Sequence, residues 1–283
     1  MAFFHFCRMN VCFNGNFLPG NVPLFFADNR GFKYGDGLFE TMKVFKGSLL
    51  LSSFHFDRLF SSLQLLGIEI AVDFTREILF RNTIDLCYQN NCDTSARIRL
   101  AVYRTDENKA GYLIEAIPLS EAVNRWSESG LSIALFPYAR KSMDAFSNLK
   151  SANFLPYVLA GKYANENGID DAIVLNSDNY LCDSSKANIY LIKAGKVFTP
   201  ALHQGCVNGV MRRVVNEAVK GMGYSLRQVE VSEEDLIAAD EVFLTNAIQI
   251  IRWVKSYHQV QYGYTHTYKI FGAVQATIFS SPC

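Results

Sequence analysis

Along the first half of the chain the apolar positions recur every second residue, then every three to four, then every second again. Val11 to Phe13 followed by Asn14-Gly15-Asn16 predicts a strand entering a type I′ turn. After the glycine-containing stretch Asp28 to Gly37, Leu38 to Phe45 alternates like a strand, and Lys46-Gly47 turns it into Ser48 to Leu51. Phe56, Leu59, Phe60, Leu63 and Leu66 share one face of a helix over Phe54 to Leu66, with Ser53 placed to cap it. A second helix is predicted from Thr75 to Asn90, then strands over Ala96 to Tyr103 and Tyr112 to Ile117. Antiparallel strands with two helices make this half α+β.

Residues 118–129 are polar and irregular and read as a linker. Beyond them the pattern predicts a strand over Leu131 to Leu135 and a helix from Asn153 to Asn167, stopped by Gly168. Two hairpins follow. One turns at Asn176-Ser177-Asp178-Asn179 between Asp171–Leu175 and Leu181; the other turns at Ala194-Gly195 between Asn188–Ile192 and Val197–Thr199. A helix over Val210 to Met222 ends at Gly223, Ser232 opens a short acidic helix, and Glu241 to Thr245 is a strand. The expected organisation is a smaller N-terminal domain over 9–118, a linker over 119–129 and a larger β-rich C-terminal domain over 130–283 with flanking helices.

Composition narrows the function. Lys+Arg and Asp+Glu both number 27, so no net field attracts nucleic acid or an anionic membrane, and a small-molecule substrate is favoured. Near-zero charge also leaves self-association unopposed. The seven cysteines hold no C-x-x-C spacing, since Cys7/Cys12 and Cys87/Cys92 are too far apart, which argues for reduced cytoplasmic thiols and no metal site. Met1 to Arg8 lacks a basic leader and a cleavage signal, so it is not read as a signal peptide, and Met9 stands as a second candidate start. No apolar run reaches membrane-spanning length.

Three pieces of chemistry then occur in order. Lys150 lies in Leu149-Lys150-Ser151-Ala152-Asn153-Phe154, Asp183 in Cys182-Asp183-Ser184-Ser185-Lys186-Ala187-Asn188, and Gly209 opens a helix in Gly205 to Arg213. An amine can form an imine, a carboxylate can hold a pyridinium nitrogen, and a helix N-terminus can hold a phosphate. Each alone has an ordinary explanation: a solvated lysine, a turn aspartate, a helix-start glycine. Arg58, on the polar face of its helix, is either a surface ion pair with Asp57 or Glu40 or a bidentate phosphate ligand.

Together with Tyr34-Gly35-Asp36-Gly37-Leu38-Phe39-Glu40, His55-x-x-Arg58-Leu59, Asp170-Asp171, Asn188-Ile189-Tyr190, Thr199-Pro200 and Gly209-Val210-Met211-Arg212, these pieces resemble the class IV aminotransferases, the fold type IV pyridoxal 5′-phosphate (PLP) enzymes. The resemblance runs from Asn14 to about Trp253. It implies a two-domain α+β fold whose smaller N-terminal domain is sandwich-like, PLP as cofactor, and a homodimer with the site between domains and completed by the other subunit. It implies Lys150 as the Schiff-base lysine, Asp183 as the ring-nitrogen partner, and Arg58, Val210, Met211 and Thr245 as phosphate ligands. Two departures stand out: the family usually has glutamate at the position of Asp183, and many members have threonine where Met211 stands.

Within the family the phosphate loop Gly205 to Arg212, the Thr245-Asn246-Ala247 triplet and Thr41 resemble the aminodeoxychorismate lyases. Glu40 and the Val44-Phe45-Lys46-Gly47 turn resemble D-amino acid aminotransferases equally well. Phe39, Thr41, Arg99, Arg104 and Asn246 are the candidate substrate contacts, the two arginines for a carboxylate, and Tyr34, Phe39, Tyr112 and Phe154 the candidate pocket aromatics. The expectation is a 4-amino-4-deoxychorismate lyase. A branched-chain or D-amino acid aminotransferase is the alternative, and a PLP-binding protein with little or no turnover is a third reading.

Overall fold

The computed structural model describes residues 9–280; Met1 to Arg8, with the leader reading made there, lies outside them. The chain divides into two compact units. The first holds the described residues up to Ala122 together with Lys150–Asn153, and the second holds Val123–Leu149 and the described residues from Phe154 onward.

In the first unit, β1 (Asn10–Phe13) and β2 (Asn16–Pro19) form the expected hairpin, with Asn14 and Gly15 both at positive φ, 47° and 84°. A short helix α1 (Arg30–Tyr34) follows, capped by the Asn29 side chain accepting from the Phe32 N–H. The sequence pattern predicts no element for that stretch. Next come β3 (Gly37–Phe45), β4 (Ser48–Leu49), α2 (Ser52–Leu65), α3 (Arg76–Gln89), β5 (Ser95–Arg104) and β6 (Ala110–Pro118). The sheet order is β2-β1-β6-β5-β3-β4, antiparallel throughout.

Helix α2 does not use the expected cap. It starts at Ser52 behind Leu51, whose φ of 55° makes the turn without a side-chain hydrogen bond, whereas Thr75 does cap α3 by accepting from the Ile78 N–H. Both helices cover one face of the sheet, burying Phe56, Leu59, Leu63, Leu79 and Leu86. The register Leu38–Val102–Tyr112 belongs to that covered face, and Phe39–Ala101–Leu113 to the other.

Lys150–Asn153 belongs to this unit because its backbone extends the sheet. The Phe39 N–H donates to the Lys150 carbonyl (2.9 Å) and the Ala152 N–H to the Gly37 carbonyl (2.9 Å), with Leu38 and Ser151 bridged. These hydrogen bonds hold residues 150–152 extended, so the helix expected from Asn153 starts only at Leu155. For the same reason the expected C-terminal domain is interrupted at these four residues.

The second unit contains β7 (Leu131–Lys141), α4 (Leu155–Glu166), β8 (Asp171–Asn176), β9 (Leu181–Ser184), β10 (Asn188–Lys193), β11 (Lys196–Pro200), α5 (Val210–Gly221), β12 (Leu226–Val229), α6 (Glu233–Ile237), β13 (Glu241–Asn246), β14 (Ile250–Tyr257), β15 (Val260–Gln261) and α7 (Thr265–Ser280). Its strands run β12-β11-β10-β13-β14-β7-β8-β9, and β9 returns to β10 through the single pair Asp183–Asn188. Six strands thereby close into a barrel around Ile133, Ile173, Leu181, Ile189, Val242 and Val254. Helix α4 packs on β7 and β8 through Tyr157, Ala160 and Ala164, while α5 and α7 pack on each other and on β13. The expected α+β class holds in both units.

Candidate active site

Strand β3 presents two chemically different faces. On the face away from α2 and α3 stand Phe39, Thr41 and Lys43, with Ala101, Arg99 and Arg97 directly across on β5. The Lys150 Nζ lies 4.3 Å from the Phe39 ring centroid and the Arg99 guanidinium carbon 4.2 Å from it. An amine and a guanidinium therefore gather at one apolar ring, with Thr41 two residues along on the same strand face. Burial lowers the Arg99 pKa, and Glu115, 3.8 Å away, partly offsets this. Lys43, almost wholly buried, is lowered by burial to about 8.

On the opposite face Glu40 is 1% exposed and holds two partners from α2. Arg58 Nε donates to Oε1 (2.8 Å) and Nη2 to Oε2 (2.5 Å), while His55 Nδ1 sits 2.7 Å from Oε2. Burial opposes the Glu40 charge, but Arg58 and then His55 outweigh it and bring its pKa down to about 2. Burial pushes His55 the other way, below its usual 6.5, despite Glu40. Both directions describe one arrangement, a Glu40–Arg58 ion pair with neutral His55 donating from Nδ1. Its Nε2 is buried and has no hydrogen-bond partner among the described residues. Of the two pairings considered, Arg58 makes the one with Glu40, buried and not on the surface, while Asp57 pairs with Arg76 (2.7 Å).

In the second unit Asp183 lies inside β9 at the barrel seam, not in a turn, and is 2% exposed. Tyr157 Oη donates to Oδ2 (2.7 Å), as does the Val207 N–H (2.9 Å); Asn188 Nδ2 donates to Oδ1 (2.7 Å) and to the Val207 carbonyl (2.8 Å). The Lys141 Nζ is 3.8 Å from Oδ2. Burial raises the Asp183 pKa; Lys141, the Val207 N–H, Tyr157 and Asn188 oppose it. Neighbouring Asp171 accepts from the Ser185 N–H and hydroxyl and the Ser184 hydroxyl, which anchors the loop behind Asp183. Helix α5 begins at Gly209 with no side-chain cap, its first residues Val210 and Met211 buried. A Cβ at 209 would fall 2.0 Å from Asn188 Oδ1, so only glycine fits there. An uncapped, buried helix N-terminus is a place for an anion.

Other candidates have partners of their own in the fold. Arg104 is on the α2-covered face, an odd number of positions from Arg99, and its guanidinium donates to Asp36 (2.9 Å), the Leu66 carbonyl (2.9 Å), the Gly67 carbonyl (3.2 Å) and Asn108. Tyr112 is on that covered face too, with Asn82 Nδ2 donating to its hydroxyl (2.9 Å), so it cannot line a pocket with Phe39. Tyr34 is largely exposed, and Phe154 stacks on Tyr157 at 4.4 Å. The Thr245 hydroxyl donates to the Ile250 carbonyl (2.6 Å), and Asn246 Oδ1 accepts from the Ile248 and Gln249 N–H groups, closing the β13–β14 turn. The sequence reading singles out His55 only as part of the His55-x-x-Arg58-Leu59 motif, and Lys43, Lys141 and Tyr157 not at all. A lysine inside the strand Leu38 to Phe45 was a legible signal; the approach of Lys141 and Tyr157 to Asp183 was not.

The sequence profile of the family described as Amino-transferase class IV matches residues 37–257. The chain belongs to the class IV aminotransferases. A Methanocaldococcus jannaschii protein bearing the name of a branched-chain-amino-acid aminotransferase is 30% identical over 247 residues, covering 84% of each chain. The aminodeoxychorismate lyase of Vibrio harveyi is also 30% identical, over 239 residues, covering 81% of this chain and 84% of its own. Equal identity to differently named relatives leaves the substrate open. The branched-chain aminotransferase of Thermoproteus uzoniensis shares the fold, with a TM-score of 0.85 at 22% identity, over 96% of this chain and 95% of that one. The architecture is that of a fold type IV PLP enzyme. Members of the family bind PLP. The residues present fit that group: an amine in Lys150, a buried carboxylate in Asp183, and an uncapped helix start at which a side chain is sterically excluded.

Proposed function

We propose that this class IV enzyme is a 4-amino-4-deoxychorismate lyase, releasing 4-aminobenzoate and pyruvate. The observation that carries the reading is the Phe39–Thr41–Arg99 face beside Lys150: a hydroxyl and a guanidinium stand on the amine's side of the sheet, and the substrate carries both carboxylate and amino groups. Bound PLP supplies an electron sink when a bond at the amino-bearing carbon is broken. Lys150 would hold the cofactor through its Nζ and would carry the proton between substrate atoms. Asp183 would hold the ring N–H, while the Val210 and Met211 N–H groups, with Arg58 as it stays paired to Glu40, would hold the phosphate. Thr245 contributes there only as an acceptor or backbone group, its hydroxyl proton being engaged by Ile250. Arg99 binds a substrate carboxylate, Phe39 packs beneath it, and Thr41 orients the amine of Lys150 or of the substrate. Asn246 acts by shaping its turn.

Supplying aminodeoxychorismate and following fluorescent 4-aminobenzoate tests the reading, beside a panel of L- and D-amino acids with 2-oxoglutarate. Aromatic product without amino transfer supports it. Glutamate formation without aromatic product replaces it with the aminotransferase reading, and failure of both, with a visible band that borohydride bleaches, leaves a PLP-binding protein. We also infer a cytoplasmic homodimer. Support comes from apolar side chains exposed at helical spacing on α4, namely Leu155, Val158 and Leu159, and from the zero net charge. Among the described residues no helix is long and apolar enough to cross a membrane.

A further inference from the structure

Lys141, at the C-terminal end of β7, is the one ammonium within 4 Å of Asp183 among the described residues. It is well buried and held from behind: Nζ donates to the Ser147 carbonyl (2.5 Å) and lies 5.3 Å above the Tyr157 ring, whose hydroxyl donates to the same Asp183 oxygen. The two oxygens of Asp183 are unequally engaged. Oδ2 faces Tyr157, the Val207 N–H, the Cys182 thiol and Lys141, whereas among the described residues Oδ1 accepts only from Asn188. A carboxylate oxygen accepts two hydrogen bonds, so Oδ1 keeps one acceptor site.

We propose that Lys141 is a positioning residue that fixes the negative charge of Asp183 and, by drawing Oδ2 toward β7, leaves Oδ1 as the oxygen presented to the protonated ring nitrogen of PLP. The proposal rests on the reading of Asp183 as the ring-nitrogen partner. Lys141 has a specific task because the other groups around Asp183 are neutral. Tyr157 from α4 is held far above its usual pKa, first by burial and then by Asp183, and remains a donor; Cys182 on β9 and Cys206 ahead of α5 are pushed up by burial and by Asp183, and remain thiols. Neutral donors orient a carboxylate, but only a cation offsets the cost of its burial by charge.

The test compares wild type with Lys141→Gln, Lys141→Arg and Asp183→Asn by PLP affinity of the stripped protein between pH 5.5 and 8.5, read from the visible band. Circular dichroism verifies folding. Wild type and Lys141→Arg should bind with little pH dependence, whereas Lys141→Gln should weaken by about tenfold toward pH 5.5, where Asp183 without its cation takes up a proton. A flat profile for Lys141→Gln with weakened binding by Asp183→Asn overturns the role of Lys141 and keeps that of Asp183. Unchanged binding by Asp183→Asn overturns both. Should Lys141→Gln not fold, the carboxyl 13C titration of Asp183 in Lys141→Arg and wild-type protein without PLP, assigned by Asp183→Asn, replaces it. An Asp183 signal already protonated near neutral pH in wild type refutes the proposal, and one ionised throughout in both upholds it.

Discussion

Arg99 and Arg104 lie on one strand at an odd spacing, and that parity puts them on opposite faces of the sheet, the first proposed as a substrate contact and the second tied to Asp36. Arg99→Ala should raise KM for a carboxylate substrate tenfold or more with little change in Tm. Arg104→Ala should leave KM unchanged but cost about 1.5–3 kcal/mol of stability, because Asp36 and two carbonyls lose a charged donor. Steady-state kinetics and thermal melts on the two variants check this; equal KM effects would refute the assignment. Lys150→Ala should abolish both turnover and the borohydride-sensitive band. The Glu40 cluster predicts acid sensitivity. His55, lowered in the fold, is protonated first in the unfolded chain as pH falls through 6.5, and Glu40 contributes stability that is complete above 4.5 and lost toward about 2. Chemical denaturation from pH 7 to 3 should therefore show falling stability. Glu40→Gln should flatten the decline below 4.5 while being less stable at pH 7, its Arg58 left without a counter-ion in a buried setting.

At the scale of elements, the start of α5 and the barrel seam depend on one another, since Asn188 both pairs with Asp183 across the seam and excludes a Cβ at Gly209. Gly209→Ala should displace Asn188, loosen Asp183 and weaken PLP binding about tenfold or more, measured by titrating the stripped protein; wild-type affinity would sink that coupling. Most elements were legible from periodicity because one face of each packs on a core: β3, α3, β5 and α5 begin and end within a few residues of where the pattern put them. The exceptions have physical causes. Leu51 enters α2 through a left-handed turn that a serine-cap reading overlooks, and the start of α4 is delayed by hydrogen bonds to β3, a strand more than a hundred residues earlier. Local propensity carries no information about such a partner.

For the whole molecule, the dimer reading predicts that Leu155→Glu with Val158→Glu shifts the mass in multi-angle light scattering from two chains to one; a wild-type monomer would refute it. Sequence by itself determined the family, the cofactor chemistry and the α+β class, because the Lys150, Asp183 and Gly209 motifs and the alternating apolar positions are local, ordered features. It also supplied five substrate candidates without ranking them. Only the tertiary structure separated them by sheet face. Strand register put Arg99 and Phe39 with Lys150 and turned Arg104 and Tyr112 to the opposite face. Barrel closure brought Lys141, Tyr157, Asn188 and Val207 around Asp183 from four separate parts of the chain. Hydrogen-bond pairing between distant strands fixes which side chains share a face, and burial sets the charge each can hold; neither is written in the neighbours of a residue along the chain.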